Sequence, residues 1–218
     1  MITTLVLSVA LAAGPSTPLA VVKSADAEVQ KVLQSADATT QKLAARADDF
    51  VDFGELARRA MGTEWAKLNK KQQDDFTATM KGLLRASYAQ KAVNEGRGGT
   101  AKVEYGDEKI DGNEAVVNTR VIIKQDTFPV IYKLYRPDAK AQWRVYDVIT
   151  DEVSLVTTYN DQFRAVLGKK GFDGLLKSLK DKQESLEKQN SAPVEKKDAT
   201  TAEKKDGVEK KGRAAPKK

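Results

Sequence analysis

Between Trp143 and Phe163 the apolar period of the chain changes from two to nearly four within a few residues, and few folds can absorb such a switch. Trp143, Val145, Asp147 and Ile149 alternate with Arg144, Tyr146, Val148 and Thr150, the period of an extended strand, and both faces carry large apolar groups at its centre. Such a strand is covered on both sides. Ser154 then stands as an N-cap, and Leu155, Val156, Tyr159, Phe163, Val166 and Leu167 recur at spacings of three and four, one apolar stripe of a helix. A segment this rich in apolar groups, with no His or Cys, points to a surface that holds something greasy rather than to a reaction centre.

Upstream, the pattern is helices and then strands. Val22, Ala25, Val29, Val32 and Leu33 form a first amphipathic stripe, and Leu43, Ala44 and Ala47 a second. Asp52 with Glu55 makes a D-x-x-E capping box, and Val51 with Leu56 a hydrophobic staple over the same helix start. Asn69 with Gln72 repeats the device and opens a long helix through Phe76, Met80, Leu83, Leu84 and Tyr88, which Gly96, Gly98 and Gly99 bring to an end. Four strands are expected next, at 100–105, 114–123, 127–136 and 142–150, joined by Asp111-Gly112-Asn113, Gln125-Asp126 and the Pro137-Asp138-Ala139-Lys140 turn. Connections this short join antiparallel neighbours, so the sheet is a meander. Helices must cover it, and the helix after Ser154 with a partner carrying Phe172, Leu175, Leu176 and Leu179 supplies part of that cover. The predicted fold class is α+β: a twisted four-stranded antiparallel meander wrapped by about six to seven helices.

Two ordered blocks resemble a known family. The string V-Y-D-V at residues 145–148, then V-S-L-V at 153–156, Tyr159 and Gln162-Phe163, is similar to the signature of the MlaC-type, or toluene-tolerance, family of periplasmic phospholipid-binding proteins. Asp52-Phe53, Leu56 to Ala60, Gly62 and Trp65 resemble that family's D-F-x-x-x-A-x-x-x-x-G-x-x-W block, in the expected order. Tyr88 and the Pro129 to Leu134 strand lie between, so the likeness covers roughly 20–187. The resemblance implies a twisted sheet wrapped by helices with a lipid cavity between them. It also implies phospholipid as ligand, and as partners an inner-membrane ABC transporter with its substrate-binding subunit and an outer-membrane lipoprotein complex. This chain departs from the pattern at Asp151-Glu152, where the family has an acidic residue followed by Gly, and at Thr158-Tyr159-Asn160, where N-Y-R is usual.

The ends differ in kind from the middle. Residues 1–20 hold an apolar run from Leu5 to Ala13 followed by small residues and prolines, and read as a secretory signal peptide. No Lys or Arg precedes that run, and cleavage after Ala20 or after Ala12 or Ala13 is compatible with it. Export would place the protein in the periplasm of a Gram-negative-type envelope. Residues 21–188 form the carrier domain, and 189–218 a Lys-rich tail that repeats E-K-K and has almost no large apolar group to bury, so it is expected to be disordered. From Asn190 onward nine Lys and Arg stand against five Asp and Glu, which accounts for most of the formal net charge of +6. The body therefore has no basic stripe of the kind nucleic acid requires.

Chemistry is narrowed by what is missing. With 0 His and 0 Cys the chain has no Ser-His-Asp or Cys-His nucleophile system, no thiolate redox chemistry and no disulfide, and hardly any zinc site is possible. Asp48, Asp49, Asp52 and Glu55 are better read as caps than as a metal or acid/base group, and Asp111-Gly112-Asn113-Glu114 as a hairpin turn rather than a calcium loop. Gly96-Arg97-Gly98-Gly99 lacks the Lys-Ser/Thr of a phosphate-binding loop. Asp147, on the face of Trp143 and Val145, calls for a buried partner, Arg58 or Arg59. No catalytic residue, cofactor or metal is expected.

A carrier needs apolar volume, because drawing a 16-carbon chain out of a bilayer exposes methylenes at about 0.8 kcal/mol each, about 13 kcal/mol in all. On alternation alone, Val117, Val121, Val130, Tyr132, Leu134 and Val145 share one sheet face, with Leu83, Tyr88 and Phe163 opposite. These nine are the candidate lipid contacts; Asp52, Glu55, Asn69, Gln72 and Ser154 are assigned to capping. The expected function is a monomeric, non-enzymatic phospholipid carrier; a binding or scaffold module acting through the basic tail is the alternative.

Overall fold

Polar caps set where the helices begin. The computed structural model describes residues 17–36, 38–96, 101–123 and 125–191. Thr17 caps α1 (Pro18–Gln34), with Pro at the first position, where its missing N–H is not needed. Thr39 caps α2 (Thr40–Phe50) in the same way. The Asp52 carboxylate accepts from the Glu55 N–H at 2.9 Å to open α3 (Phe53–Met61), which runs into a 3-10 turn, Gly62–Lys67. Asn69 and Gln72 cap reciprocally at 2.9 and 3.0 Å ahead of α4 (Lys70–Gly96). Four long strands follow, β1 (Lys102–Asp111), β2 (Glu114–Ile123), β3 (Asp126–Tyr135) and β4 (Arg144–Thr150), then a two-residue strand β5 (Val153–Ser154) and α5 (Leu155–Ser191). The sheet order is β1-β2-β3-β4-β5 and every pairing is antiparallel.

Among the described residues the architecture is α+β with five strands and five α-helical spans, against the four strands and about six to seven helices expected. The extra strand arises because Val153 and Ser154 fold back on Thr150 and Ile149, a pairing too short to leave a periodic signal. The stripes at 155–167 and 172–179 lie within the one span α5, but Gly171 (φ 65°, ψ −172°) is non-helical and kinks it, so the expected pair of helices is present on either side of that residue. At β1 the strand continues past Tyr105 to Asp111 through a bulge between Tyr105 and Glu108, which disrupts the alternation that marked its end. α1 already begins at Pro18, so the boundary drawn at residue 20 falls inside a helix whose first residue is fully buried. Residues 1–16 of the expected leader, Gly98 and Gly99, and nearly all of the expected tail, 192–218, lie outside the described residues.

Two apolar cores result. The first joins α3, α4 and α5 through Leu56, Phe76, Met80, Phe163 and Leu175, with the Phe76 and Phe163 rings edge to face at 5.4 Å. The second lies between α1 and the sheet and holds Val21, Val22, Val117, Leu134, Trp143 and Val145. A small satellite of Leu43 with Val29, Val32, Leu33 and Ala44 joins α1 to α2. Polar links tie the layers: Arg59, stacked 3.8 Å over Tyr146, reaches both Glu55 and Glu114 at 2.6 Å. Glu55 is thus turned toward Arg58 and Arg59 and leaves the Asp52 N–H free for the Val145 carbonyl at 2.8 Å, so the second half of the expected capping box is replaced by a helix-to-sheet bond.

The β4–β5 turn is made by Asp151 and Glu152, both at positive φ (50° and 64°), as a two-residue hairpin requires. Neither has the freedom of glycine there. Glu152→Gly should therefore raise stability by about 0.5–1 kcal/mol, read as a higher urea midpoint at unchanged slope.

The Arg58 hydrogen bond holds the Glu55 carboxyl below the ordinary glutamate range, burial opposing and Arg59 reinforcing it; the Arg59 hydrogen bond does the same for Glu114. A depressed folded pKa contributes stability above the unfolded value, about 4.3, and loses it as pH falls through the folded value. The melting temperature should accordingly stay level from pH 7 to about pH 5 and drop below about pH 4, with a shallower drop in Glu55→Gln.

Candidate functional site: an apolar cavity between helices and sheet

The two cores share Val51, which packs against both, and the space beside it between them is a cavity of about 660 Å³. Two ties hold its walls apart. One is the Asp52–Val145 backbone bond, with Val51 bridged to Val145 in parallel. The other is Asp147, 2% exposed, whose carboxylate accepts from the Ser154 hydroxyl at 2.7 Å and the Val156 N–H at 3.0 Å, with Lys133 at 3.8 Å. Ser154 in turn accepts from the Thr157 N–H at 3.0 Å. Asp147 thus sits at the positive N-terminal end of α5, which compensates its burial. Its partners are these, and not Arg58 or Arg59; alternation put Asp147 on the face of Val145, but the two pair with the adjacent residues Lys133 and Leu134 of β3, and no periodicity could show the helix end brought over Asp147.

A bulge shapes the sheet wall. Lys133 pairs with Asp147 and Leu134 with Val145, so Tyr146 is an extra residue on β4. Three consecutive residues, Val145, Tyr146 and Asp147, are consequently buried where strict alternation would allow two at most. All three border the cavity, along with Val148, Thr150, Tyr132 of β3 and Val153 of β5. Opposite them stand Leu155, Thr158, Tyr159 and Gln162 of α5, at helical spacings of three and four, and Phe53 and Leu56 of α3. α4 adds Leu84, Arg85 and Tyr88; α1 and α2 close the remaining side with Val29, Leu43, Ala44 and Ala47. Tyr88 and Val153, 50% and 57% exposed, put large apolar surface at the open edge.

The lining carries little charge. Burial pushes Tyr132 and Tyr159 up to about 12, and Tyr146 to about 12 with Arg59 opposing and its bond to Glu114 assisting, so these hydroxyls are neutral at pH 7. Arg85 and Asp147 are the basic and acidic side chains among the described residues of the wall. Apart from these two, the surface is aliphatic and aromatic with a few hydroxyl and amide groups. It is built to keep an apolar object dry.

Of the nine candidate contacts, the cavity brings together Tyr88, Tyr132 and Val145. Leu83 and Phe163 belong to the helical core, and Val117 and Leu134 to the sheet core. Val117 is paired with Tyr132 but lies one strand farther away, where Val21 and Val22 cover it. Val130 is buried and Val121 half-buried, and neither reaches the wall. Periodicity identifies a face, whereas the part of that face left uncovered depends on where α1 and α5 land. The contributions of Val29, Leu43, Ala44 and Ala47 were visible only as ordinary amphipathic stripes, and Arg85 carried no signal.

Comparison with known proteins agrees with this geometry. Residues 19–181 match the family model described as MlaC protein. The "Intermembrane phospholipid transport system binding protein MlaC" of Haemophilus influenzae is 24% identical over 131 residues, 58% of this chain, and the match spans 60% of that relative's length. The solved structure of a phospholipid-binding protein from Ralstonia solanacearum, in complex with a phospholipid, superposes with a TM-score of 0.69 at 26% identity, covering 78% of this chain and 98% of that one.

Removing the carboxylate that anchors α5 should be expensive. Asp147→Ala deletes two hydrogen bonds to a charged acceptor and should lower the unfolding free energy by about 3 kcal/mol, measured by urea denaturation.

Proposed function

Since this chain belongs to the MlaC family, we propose that it binds phospholipid and carries it through the periplasm, the acyl tails held in the cavity between sheet and helices. The observation that carries this reading is the cavity itself: about 660 Å³, walled by apolar groups and neutral tyrosines, and open at an apolar edge. The lipid complex of the Ralstonia relative supports it, as does the name of the Haemophilus relative. Carriage requires no bond to be made or broken, and no nucleotide or cofactor. Its energetics are those of shielding: a 16-carbon chain kept from water is worth about 13 kcal/mol, enough to make the loaded protein long-lived in solution yet reversible against a membrane.

The cavity, at about 660 Å³, falls in the range of small-ligand pockets, about 300–1,000 Å³, and a two-chain lipid enters it by displacing one wall. The α1–α2 side is the wall that gives way, since α2 has Leu43 as its buried residue and packs through the smallest of the apolar clusters. In this reading the lipid is received from and delivered to membrane-bound complexes, an inner-membrane ABC transporter with its substrate-binding subunit and an outer-membrane lipoprotein complex. The apolar leader that precedes α1 serves export to the periplasm.

Native mass spectrometry of the purified protein should show a bound phospholipid with two acyl chains, and delipidated protein should take up fluorescent phospholipid from vesicles. A protein that is empty and stays empty would overturn the proposal. Ala47→Trp, which sets an indole into the cavity from α2, should reduce uptake at least tenfold while leaving the circular dichroism spectrum unchanged.

A further inference from the structure

We propose that Arg85 and Lys81 form an anion site at the rim of the cavity that takes the phosphodiester group of the bound lipid, with Asp48 as an intramolecular competitor for the same donors. The inference rests on the carrier reading and deepens it by assigning the polar end of the ligand.

Arg85 is the one Lys or Arg on the described cavity wall, and its side chain is 35% exposed, so the guanidinium touches both the apolar interior and solvent. Tyr88, one turn farther along α4, marks the open edge. A lipid with its tails inside must hold its polar group at this depth. Lys81, one turn earlier on α4, has its ammonium 5.5 Å from the ring centroid of Phe53, another wall residue. Both cations converge on one carboxylate oxygen, Asp48 Oδ2, with Lys81 at 3.0 Å. Arg144 bonds the Asp48 and Val51 carbonyls at 2.6 and 2.8 Å and adds a third positive charge. On the remaining walls, Asp147 is engaged by Ser154 and Val156, and on α2 Asp49 is engaged by Arg46. The local balance is positive, the complement of a phosphodiester monoanion.

The pairing that occupies these donors is incomplete. An Arg–carboxylate pair ordinarily makes two parallel bonds, yet Arg85 Nε and Asp48 Oδ1 are both buried without a hydrogen-bond partner. A tetrahedral anion has oxygens enough for Arg85 Nε, Arg85 Nη2 and Lys81 together. Asp48, 30% exposed, can turn to water as the anion enters. Because Asp48 stands on α2, that exchange also releases a link between α2 and α4 on the side of the cavity that must yield.

The test uses the full delipidated chain and vesicles doped with dioleoyl phosphatidylcholine or with dioleoylglycerol, which has the same tails and no phosphate. Wild-type protein should take up both. Lys81→Gln/Arg85→Gln should lose about tenfold in affinity for the phospholipid and keep its affinity for the diacylglycerol, Arg85→Lys should recover part of the loss, and Asp48→Asn should bind phospholipid more tightly than wild type. Equal losses for both lipids, or none, would overturn the anion site and leave the carrier reading standing. Wild-type protein that takes up neither lipid would overturn both. Inorganic phosphate is the third arm: a rise in melting temperature that disappears in Arg85→Gln, with no preference between the two lipids, would assign the donors to a free anion and overturn the headgroup assignment.

Discussion

The buried carboxylate of Asp147 is the contact on which the rest of the arrangement depends. It stands on β4, beside the bulge at Tyr146, and grips the first turn of α5 through Ser154 and Val156. An ion 2% exposed is stable there only because a helix N-terminus, a hydroxyl and Lys133 surround it. That requirement fixes the distance and angle at which α5 leaves the sheet. Without it, Leu155 and Tyr159 could settle directly onto Tyr132 and Val148, and the apolar surfaces that now face a cavity would close on one another.

A cavity inside a small protein is a standing cost, because apolar surfaces left apart forfeit their contacts. Two cores carry the stability around it. The helical core is anchored by fully buried Phe76, Met80 and Phe163, the sheet core by Val117 and Leu134, none of which lines the cavity, while Leu56, Leu84 and Val145 belong to a core and to the wall at once. Arg59 clamps the layers from one side through Glu55, Glu114 and Tyr146. On the other side α2 has Leu43 as its buried residue and is tied to its neighbours mainly by polar contacts of Asp48 with Lys81, Arg85 and Arg144.

Elements long enough to show a period were legible in the sequence: the amphipathic stripes of α1, α2, α4 and α5, four of the five strands with their antiparallel order, and the polar residues that start α3 and α4. Local irregularities were not. The bulge at Tyr105 to Glu108 concealed the second half of β1, and the two residues of β5 were too few to carry a pattern. At Asp151-Glu152 the sequence did mark the position, by placing an acidic residue where glycine is usual, and both residues hold the positive φ that glycine would accept without strain. Reciprocal capping at Asp52 failed for a tertiary reason, since the Asp52 N–H is used to bind the sheet.

What the chain determined by itself was a class and a chemistry: alternation and helical spacing are local properties, so they specify an α+β fold, and the lack of His and Cys removes the commoner catalytic systems whatever the fold. The transition at Trp143–Phe163 also marks where strand gives way to helix. Tertiary structure alone decided which apolar residues became wall and which became core. Val117 and Tyr132 are paired neighbours on the same face, yet α1 covers the first and leaves the second open. Arg85 gained its place only when α2 brought Asp48 against α4. Burial at a given point depends on contacts between segments far apart in the chain, and no periodicity within one segment records them.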